Sequence, residues 1–419
     1  MEKVNHTSSV ILQAQNAKAA AGVLRGVTTE QKNAFLSTLA DLLDAHTDAI
    51  LAENAKDLAL ASGITAAMRK RLALTREGIA AIARGVRVIA GLPDPVGQLV
   101  KTVQRPDGLI INRVRTPIGV IACIFESRPN VIIDVASLCV KSGNAVIVRG
   151  GKEAVNSNNA FMRLMSMALE ASHLPKFSVQ QLEDRRHEAV NELVALDAYL
   201  DLVIPRGREE LIRTVSAHAR VPVIKHMRGL CHAYVDSEAD IEKAIAIVVN
   251  AKTSNPATCN SIETLLVHKD IAPRLLPQLL QELTSRGVEI RGCPRTCAYQ
   301  TACTPATEED WSTEYLDLIL SVKVVDSYEE ALAHIARYSS GLTDSIVTEN
   351  KERMEHFLRT VDSATVLANA SNRLTDGGEF GLGGEIGIST ARIHMRGPMG
   401  LEDLTVTKYV VVGDGHIRK

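Results

Sequence analysis

The chain has 419 residues, 46% hydrophobic and 23% charged, the proportions of a soluble globular protein of two or three domains. With 47 basic against 49 acidic residues the formal charge is −2 and both signs are scattered, so no basic stripe offers a footprint for a nucleic-acid backbone. Aromatic residues at 3% argue against a base-stacking surface, and no stretch approaches about 18 consecutive apolar residues, so neither nucleic acid nor a membrane is an expected partner.

The opening Met1-Glu2-Lys3-Val4-Asn5-His6 leads into polar helical sequence and not into an apolar leader, so no signal peptide is expected. Residues 1–90 are predicted to be helical. Phe35, Leu36, Leu39, Leu42, Leu43, Ile50 and Leu51 recur three and four apart, which lays an apolar face along a helix. Gly91-Leu92-Pro93-Asp94-Pro95 ends this region with turn chemistry. Residues 99–105 and 109–115 read as a hairpin around Pro106-Asp107-Gly108. Beyond them, short apolar runs at 120–125, 145–148, 202–204, 264–267, 345–347 and 365–367 read as buried strands, and 239–249 and 328–338 carry helical periodicity. This alternation predicts an α/β fold with mostly parallel sheets. The tail at 404–412 reads as a strand without a local partner. With the early hairpin it suggests a small sheet that pairs across subunits.

Three segments have the make-up of a reactive site. Cys259 lies in the polar loop 250–260 ahead of a strand, where a thiol is accessible and backbone N–H groups favour the thiolate; a buried structural cysteine is the competing reading. Phe125-Glu126-Ser127-Arg128-Pro129-Asn130 follows a strand, where α/β proteins place ligands, and an Asn130 amide can serve a developing oxyanion or simply an Asx turn. Arg149-Gly150-Gly151-Lys152 joins a strand to a predicted helix with two cations, a setting that suits a phosphate. The glycine-rich run 377–384 does not lie between a strand and a helix start, so it is not a dinucleotide fingerprint, although its N–H groups suit a carboxylate. Seven cysteines do not make a disulfide framework, which points to a reducing cytoplasm. Cys293, Cys297 and Cys303 lack the spacing of a zinc site and are expected in a solvated surface loop.

These segments do not stand alone. Thr116-Pro117-Ile118-Gly119-Val120-Ile121, the motif at 125–131, the stretch 134–153, Ile204-Pro205-Arg206-Gly207, Cys231-His232-Ala233-Tyr234-Val235-Asp236, the Cys259 loop, the stretch 369–385 and Arg396-Gly397-Pro398-Met399-Gly400-Leu401 together resemble the gamma-glutamyl phosphate reductase family, a branch of the aldehyde dehydrogenase superfamily, over nearly the whole chain. The resemblance implies an aldehyde dehydrogenase-like fold of two α/β domains and a small oligomerisation β-sheet. In it residues 1–100 and 117–230 bind the cofactor, 231–365 carry the nucleophile, and 101–116 with 400–419 form an oligomerisation arm. It also implies that NADPH reduces L-glutamate 5-phosphate to L-glutamate 5-semialdehyde with release of phosphate, in proline biosynthesis in the cytoplasm, by a homo-oligomer with glutamate 5-kinase as partner and without a metal. Position by position, it makes Cys259 the nucleophile and Asn130 the oxyanion donor. It sets Arg149, Gly150, Gly151 and Lys152 at the adenosine ribose and its phosphate, Pro205, Arg206 and Gly207 in the cofactor-side loop, and Glu314 at the nicotinamide ribose. Arg128, Thr258, Arg373 and Gly378 are assigned to the substrate.

Hydrolytic aldehyde dehydrogenases carry a glutamate that activates water ahead of the catalytic domain. The corresponding stretch here, Ile224-Lys225-His226-Met227-Arg228-Gly229-Leu230, holds no carboxylate, as suits an enzyme that must keep water off a thioester. Three other readings remain open at this point: an aldehyde dehydrogenase that acylates coenzyme A, a non-enzymatic descendant of the fold, and a cysteine hydrolase using His232. Arg128, Arg373 and Arg396, as cations near a leaving phosphate, weigh against the first.

Overall fold

The computed structural model describes residues 8–418 apart from Ser62, Ser127 and Met227. The opening residues read above for a leader, and the motif positions Ser127 and Met227, therefore lie outside the described residues. The chain divides into two compact units, one built from 1–225, 381–387 and 399–419, the other from 226–380 and 388–398.

The first unit begins with the predicted helices, Ser9–Leu24, Thr29–Ala45, Thr47–Leu60, Ala66–Leu72 and Arg76–Gly91. Thr28 and Gln31 close a reciprocal capping box that starts the second, and Phe35, Leu36, Leu39 and Leu43 bury its apolar face. The hairpin forms as read: Leu99–Gln104 pairs antiparallel with Ile110–Pro117 across a turn in which Gly108 adopts φ +89°. The tail strand Thr405–Val412 lies antiparallel on the other side of Ile110–Pro117. Its partner is therefore in the same chain, which the sequence alone did not settle. Beside this sheet stands a four-stranded parallel one in the order Val179–Gln181, Ala145–Arg149, Val120–Phe125, Leu202–Arg206. All six residues of Val120–Phe125 are buried, because a parallel strand with neighbours on both sides and helices over its faces has no wet side.

The second unit holds a seven-stranded parallel sheet in the order Thr304–Pro305, Glu289–Gly292, Ile319–Val325, Ile262–His268, Cys231–Val235, Thr343–Val347, Thr365–Ala368. Helices Ile241–Thr253, Ala272–Ser285, Tyr328–Tyr338 and Lys351–Thr360 connect its strands. Five strands of the two parallel sheets escaped the sequence reading: Val179–Gln181, Cys231–Val235, Glu289–Gly292, Ile319–Val325 and Thr304–Pro305. They are short or carry polar residues such as His232 and Lys323, so no apolar run announces them.

Two expectations need correction. The unit that carries Cys259 does not stop at residue 365. The Asn372 side chain donates to the His232 and Thr343 carbonyls (3.2 and 3.1 Å) and Asn260 donates to the Thr375 carbonyl, so the chain after the last strand is stitched back onto the same sheet. The cysteine-rich segment is not simply a solvated loop of free thiols: Cys297 and Cys303 form a disulfide, and Cys293 packs half-buried against the core between the Thr296 hydroxyl and the Val324 N–H. Spacing could not reveal that pairing, which depends on the helix Pro294–Cys297 turning the chain back toward Thr304–Pro305. No helix among the described residues is long and apolar enough to cross a membrane, and no group of His, Cys, Asp or Glu among them could hold a metal ion.

Candidate active site

Cys259 lies in the turn between helix Ile241–Thr253 and strand Ile262–His268, and its side chain is partly exposed. The turn is braced from below. The Ser261 hydroxyl donates to the Ala251 carbonyl, and the Cys231 thiol, which burial keeps protonated, donates to the Cys259 carbonyl at 3.2 Å. Gly229 presses its backbone on the same residue, and a Cβ added there would stand 2.2 Å from the Cys259 carbonyl oxygen. Because Cys231 pairs with Ile262 at the start of adjacent strands, Gly229 and Cys259 share the amino end of the sheet, opposite the end at which α/β sheets usually take ligands.

Glu314 is at that same end, with its carboxylate accepting the Gly229 N–H at 2.7 Å. Two residues on, the Leu316 N–H donates to Glu263, whose other oxygen meets the Lys252 ammonium at 2.7 Å in a fully buried ion pair. Burial pushes Glu263 up and Lys252 down, each opposed by the attraction of its partner. Arg373 is brought to the nucleophile loop through Asn260, whose Oδ1 accepts from Nη1 of the guanidinium.

Other expected substrate groups fare differently. The Thr258 hydroxyl donates to the Asn255 carbonyl at 2.9 Å and keeps only lone pairs for a ligand. The Gly378 N–H, expected to meet a substrate carboxylate, donates to Asp376 Oδ1 at 2.9 Å in an Asx turn. Arg396 spends both terminal nitrogens on Asp362, a structural use. Within 224–230, burial pushes His226 down to about 4, so its ring is neutral near pH 7.

In the first unit the chain order of the four-stranded sheet reverses beside Val120–Phe125, which puts the topological switch point at the ends of that strand and Leu202–Arg206. Phe125 pairs with Arg206 there, so the segment leading to Asn130 and the segment Pro205-Arg206-Gly207 run side by side. Pro205 is tolerated on this edge strand because its missing N–H faces away from the ladder. A Cβ on Gly207 would strike Leu211 and Glu126 at 2.7 and 2.8 Å. Arg206 is turned to the Glu385 carbonyl at 3.2 Å. Asn130 does not cap helix Val131–Lys141 with its side chain; Nδ2 donates to Asp134 at 3.2 Å. Burial pushes Asp134 up to about 6, against the pull of Arg206 and of Asn130. Arg128 is exposed on the same loop.

Arg149, Gly150, Gly151 and Lys152 line one pocket together with Gln181 and Arg185. Gly150 is there because a side chain would meet the Asn158 amide at 2.3 Å and the Phe125 ring at 3.0 Å. Arg149 folds over the backbone, donating to the Gly150 and Arg185 carbonyls. Sequence reasoning missed Arg185, although its place just beyond strand Val179–Gln181 could have flagged it. It also missed Asp134, four residues after Asn130, whereas Gly229 and Asn260 gave no signal at all.

A family profile described as the aldehyde dehydrogenase family matches residues 5–295. Gamma-glutamyl phosphate reductase of Carboxydothermus hydrogenoformans is 50% identical over 411 residues, 98% of this chain and 99% of the relative. The Moorella thermoacetica protein of the same name is 50% identical over 418 residues, 99% and 100% of the two chains. The crystal structure of gamma-glutamyl phosphate reductase from Thermotoga maritima matches with a TM-score of 0.96 at 44% identity, covering 98% of this chain and 100% of that one. With two units, a braced thiol loop and matches along nearly its entire length, the chain belongs to the aldehyde dehydrogenase family, in its gamma-glutamyl phosphate reductase branch.

Proposed function

We propose that this chain, an oxidoreductase by family, reduces L-glutamate 5-phosphate to L-glutamate 5-semialdehyde through a thioacyl group on Cys259 and releases phosphate, as a step of proline biosynthesis. The observation that carries this reading is the Cys259 turn itself: a partly exposed thiol braced by Gly229 and Cys231 beside an arginine that Asn260 holds. An acyl phosphate is an activated electrophile with a good leaving group, so a thiolate displaces phosphate without help from a strong acid. Asn130 is assigned the oxyanion, and a donor of this kind contributes about 3 kcal/mol to lowering the barrier.

The cofactor of this reading is NADPH. The pocket fits its phosphate: Arg149, Lys152 and Arg185 supply three cations around a glycine turn. Arg149, Gly150, Gly151 and Lys152 would hold the adenosine end, and Pro205, Arg206, Gly207 and Glu314 the rest. When bound, the nicotinamide supplies the hydride. The exposed apolar residues of the three-stranded sheet, Leu99, Val103, Val411 and Val412 among them, favour a homo-oligomer joined there. Loss of an activated acyl group to water favours supply by glutamate 5-kinase in a shared cytoplasm.

The reverse direction tests the reading. Semialdehyde with NADP and no phosphate should give at most one turnover per site, because residues 224–230 bring no carboxylate to activate water. Adding phosphate should raise steady turnover by roughly 10²–10⁴-fold, the usual contribution of a general base. The Cys259→Ala variant should lose both phases while it still binds NADPH by fluorescence titration. Sustained phosphate-free turnover, or an active Cys259→Ala enzyme, would overturn the mechanism.

A further inference from the structure

Asn260 follows the nucleophile in sequence, is buried, and has both ends of its amide committed to a distant segment. Nδ2 donates to the Thr375 carbonyl at 2.7 Å, and Oδ1 accepts from Arg373. That segment is anchored a second time, because Asn372 grips the His232 and Thr343 carbonyls while the Ser345 hydroxyl donates to its Oδ1 at 2.7 Å. Arg373 is thus fixed at its base by the short 3₁₀ turn Asn372–Leu374 and at its tip by Asn260. Its Nε is buried and meets no hydrogen-bond partner among the described residues. A buried guanidinium N–H left unpaired is unfavourable, and the fork geometry of the group matches an anion with two oxygens to offer.

We propose that Arg373 receives the phosphoryl group of the acyl phosphate and that Asn260 is the positioning residue that keeps the guanidinium beside the nucleophile. This rests on the thioacyl reading above and adds to it the site of the leaving group. In the forward direction the Cys259 thiolate forms the C–S bond, the acyl C–O bond to phosphorus breaks, and its electron pair leaves on phosphate, whose added negative charge Arg373 meets. In reverse, a phosphate oxygen attacks the thioacyl carbon and the electron pair of the C–S bond returns to the thiolate. The α-carboxylate of the substrate offers similar oxygens, and the test separates the two anions.

Semialdehyde oxidation is followed by reduced-nicotinamide absorbance, first without phosphate as a burst and then with phosphate varied. Asn260→Ala should still show a burst near one per site, since thioacyl formation from the aldehyde has no phosphate to bind. Its KM for phosphate should rise about tenfold or more, as for the loss of one charge-assisted contact, with the KM for semialdehyde little changed. Arg373→Ala should do the same or more, and the double variant should match it. General damage to the fold would instead lower burst and phosphate step together. If Asn260→Ala misfolds, Arg373→Lys, which leaves the bond from Asn260 to Thr375 in place, reads the same phosphate KM. An unchanged phosphate KM in these variants overturns the proposal, as does a rise confined to the semialdehyde KM, which would assign Arg373 to the carboxylate. Absence of a burst in the unaltered enzyme would overturn the thioacyl reading itself.

Discussion

At Gly229 the lack of a side chain is what lets one backbone lie against the nucleophile. An added Cβ would stand 2.2 Å from the Cys259 carbonyl oxygen and 2.7 Å from its Cα, both backbone atoms that cannot swing aside. Gly229→Ala should therefore push the Cys259 turn outward. A displacement on the scale of 1 Å costs about a hundredfold in rate, so kcat should fall by about that much while NADPH binding persists. Steady-state kinetics and the rate of Cys259 alkylation by iodoacetamide check this, and wild-type values for both would refute it. Glu314 belongs to the same assembly. The resemblance assigned it to a cofactor ribose; the structure gives its carboxylate to the Gly229 N–H, an arrangement that links it to the nucleophile through one backbone unit. Cys259, Asn130 and Arg149 can be named as candidates from sequence because reactive residue types in loops next to apolar runs carry chemical meaning by themselves. Gly229 and Asn260 were not, because their roles consist of close approach to residues far away in sequence.

At the scale of elements, helix Ile241–Thr253 and strand Ile262–His268 hold the reactive turn between them, and the apolar core they share also carries one buried ion pair. Lys252 and Glu263 are both fully buried at 2.7 Å, and each has a second partner, the Ile262 carbonyl for the ammonium and the Leu316 N–H for the carboxylate. The apolar run read from the sequence begins at 264, one residue after this carboxylate, so the pair leaves no mark in it. Removing one member of a buried pair strands the other, at a cost of about 3–5 kcal/mol, whereas replacing both by apolar residues of similar volume is often neutral. Lys252→Met should accordingly lower the urea midpoint sharply, and Lys252→Met with Glu263→Leu should recover most of the loss. If the double variant is as unstable as the single one, the pair does something other than neutralise itself. The early helices, the hairpin and the tail strand were read correctly because apolar spacing of three and four, a Pro-Asp-Gly turn and period-two alternation are local signals. The five missed strands owe their conformation to neighbours in the sheet rather than to their own composition.

For the whole molecule, pH enters through buried histidine. His334 lies among the rings of His232, Trp311 and Tyr338, and burial, with added like charge from Lys323 and Arg337, pushes it down to about 3. Its folded value is below its unfolded one, so below about 6.5 the unfolded chain takes up a proton that the folded chain refuses until about 3. The stability this histidine allows is complete above about 6.5 and is lost as pH falls, at up to about 1.4 kcal/mol per pH unit. His334→Phe keeps the ring and removes the titration, so its urea midpoint should fall less between pH 7 and pH 5 than that of the unaltered chain; an equal fall would refute the assignment. By itself the sequence determined the α/β class, the helical start, the hairpin and the reactive residue types, since periodicity, turn chemistry and side-chain chemistry are properties of neighbouring residues. Only the tertiary structure decided which end of the seven-stranded sheet carries Cys259, that the tail pairs with the hairpin of its own chain, that the Gly378 N–H is already taken, and that Asn260 reaches Arg373 and Thr375, 113 and 115 residues away. Contacts across such separations are fixed by how buried surfaces fit together, and no window of sequence contains both partners.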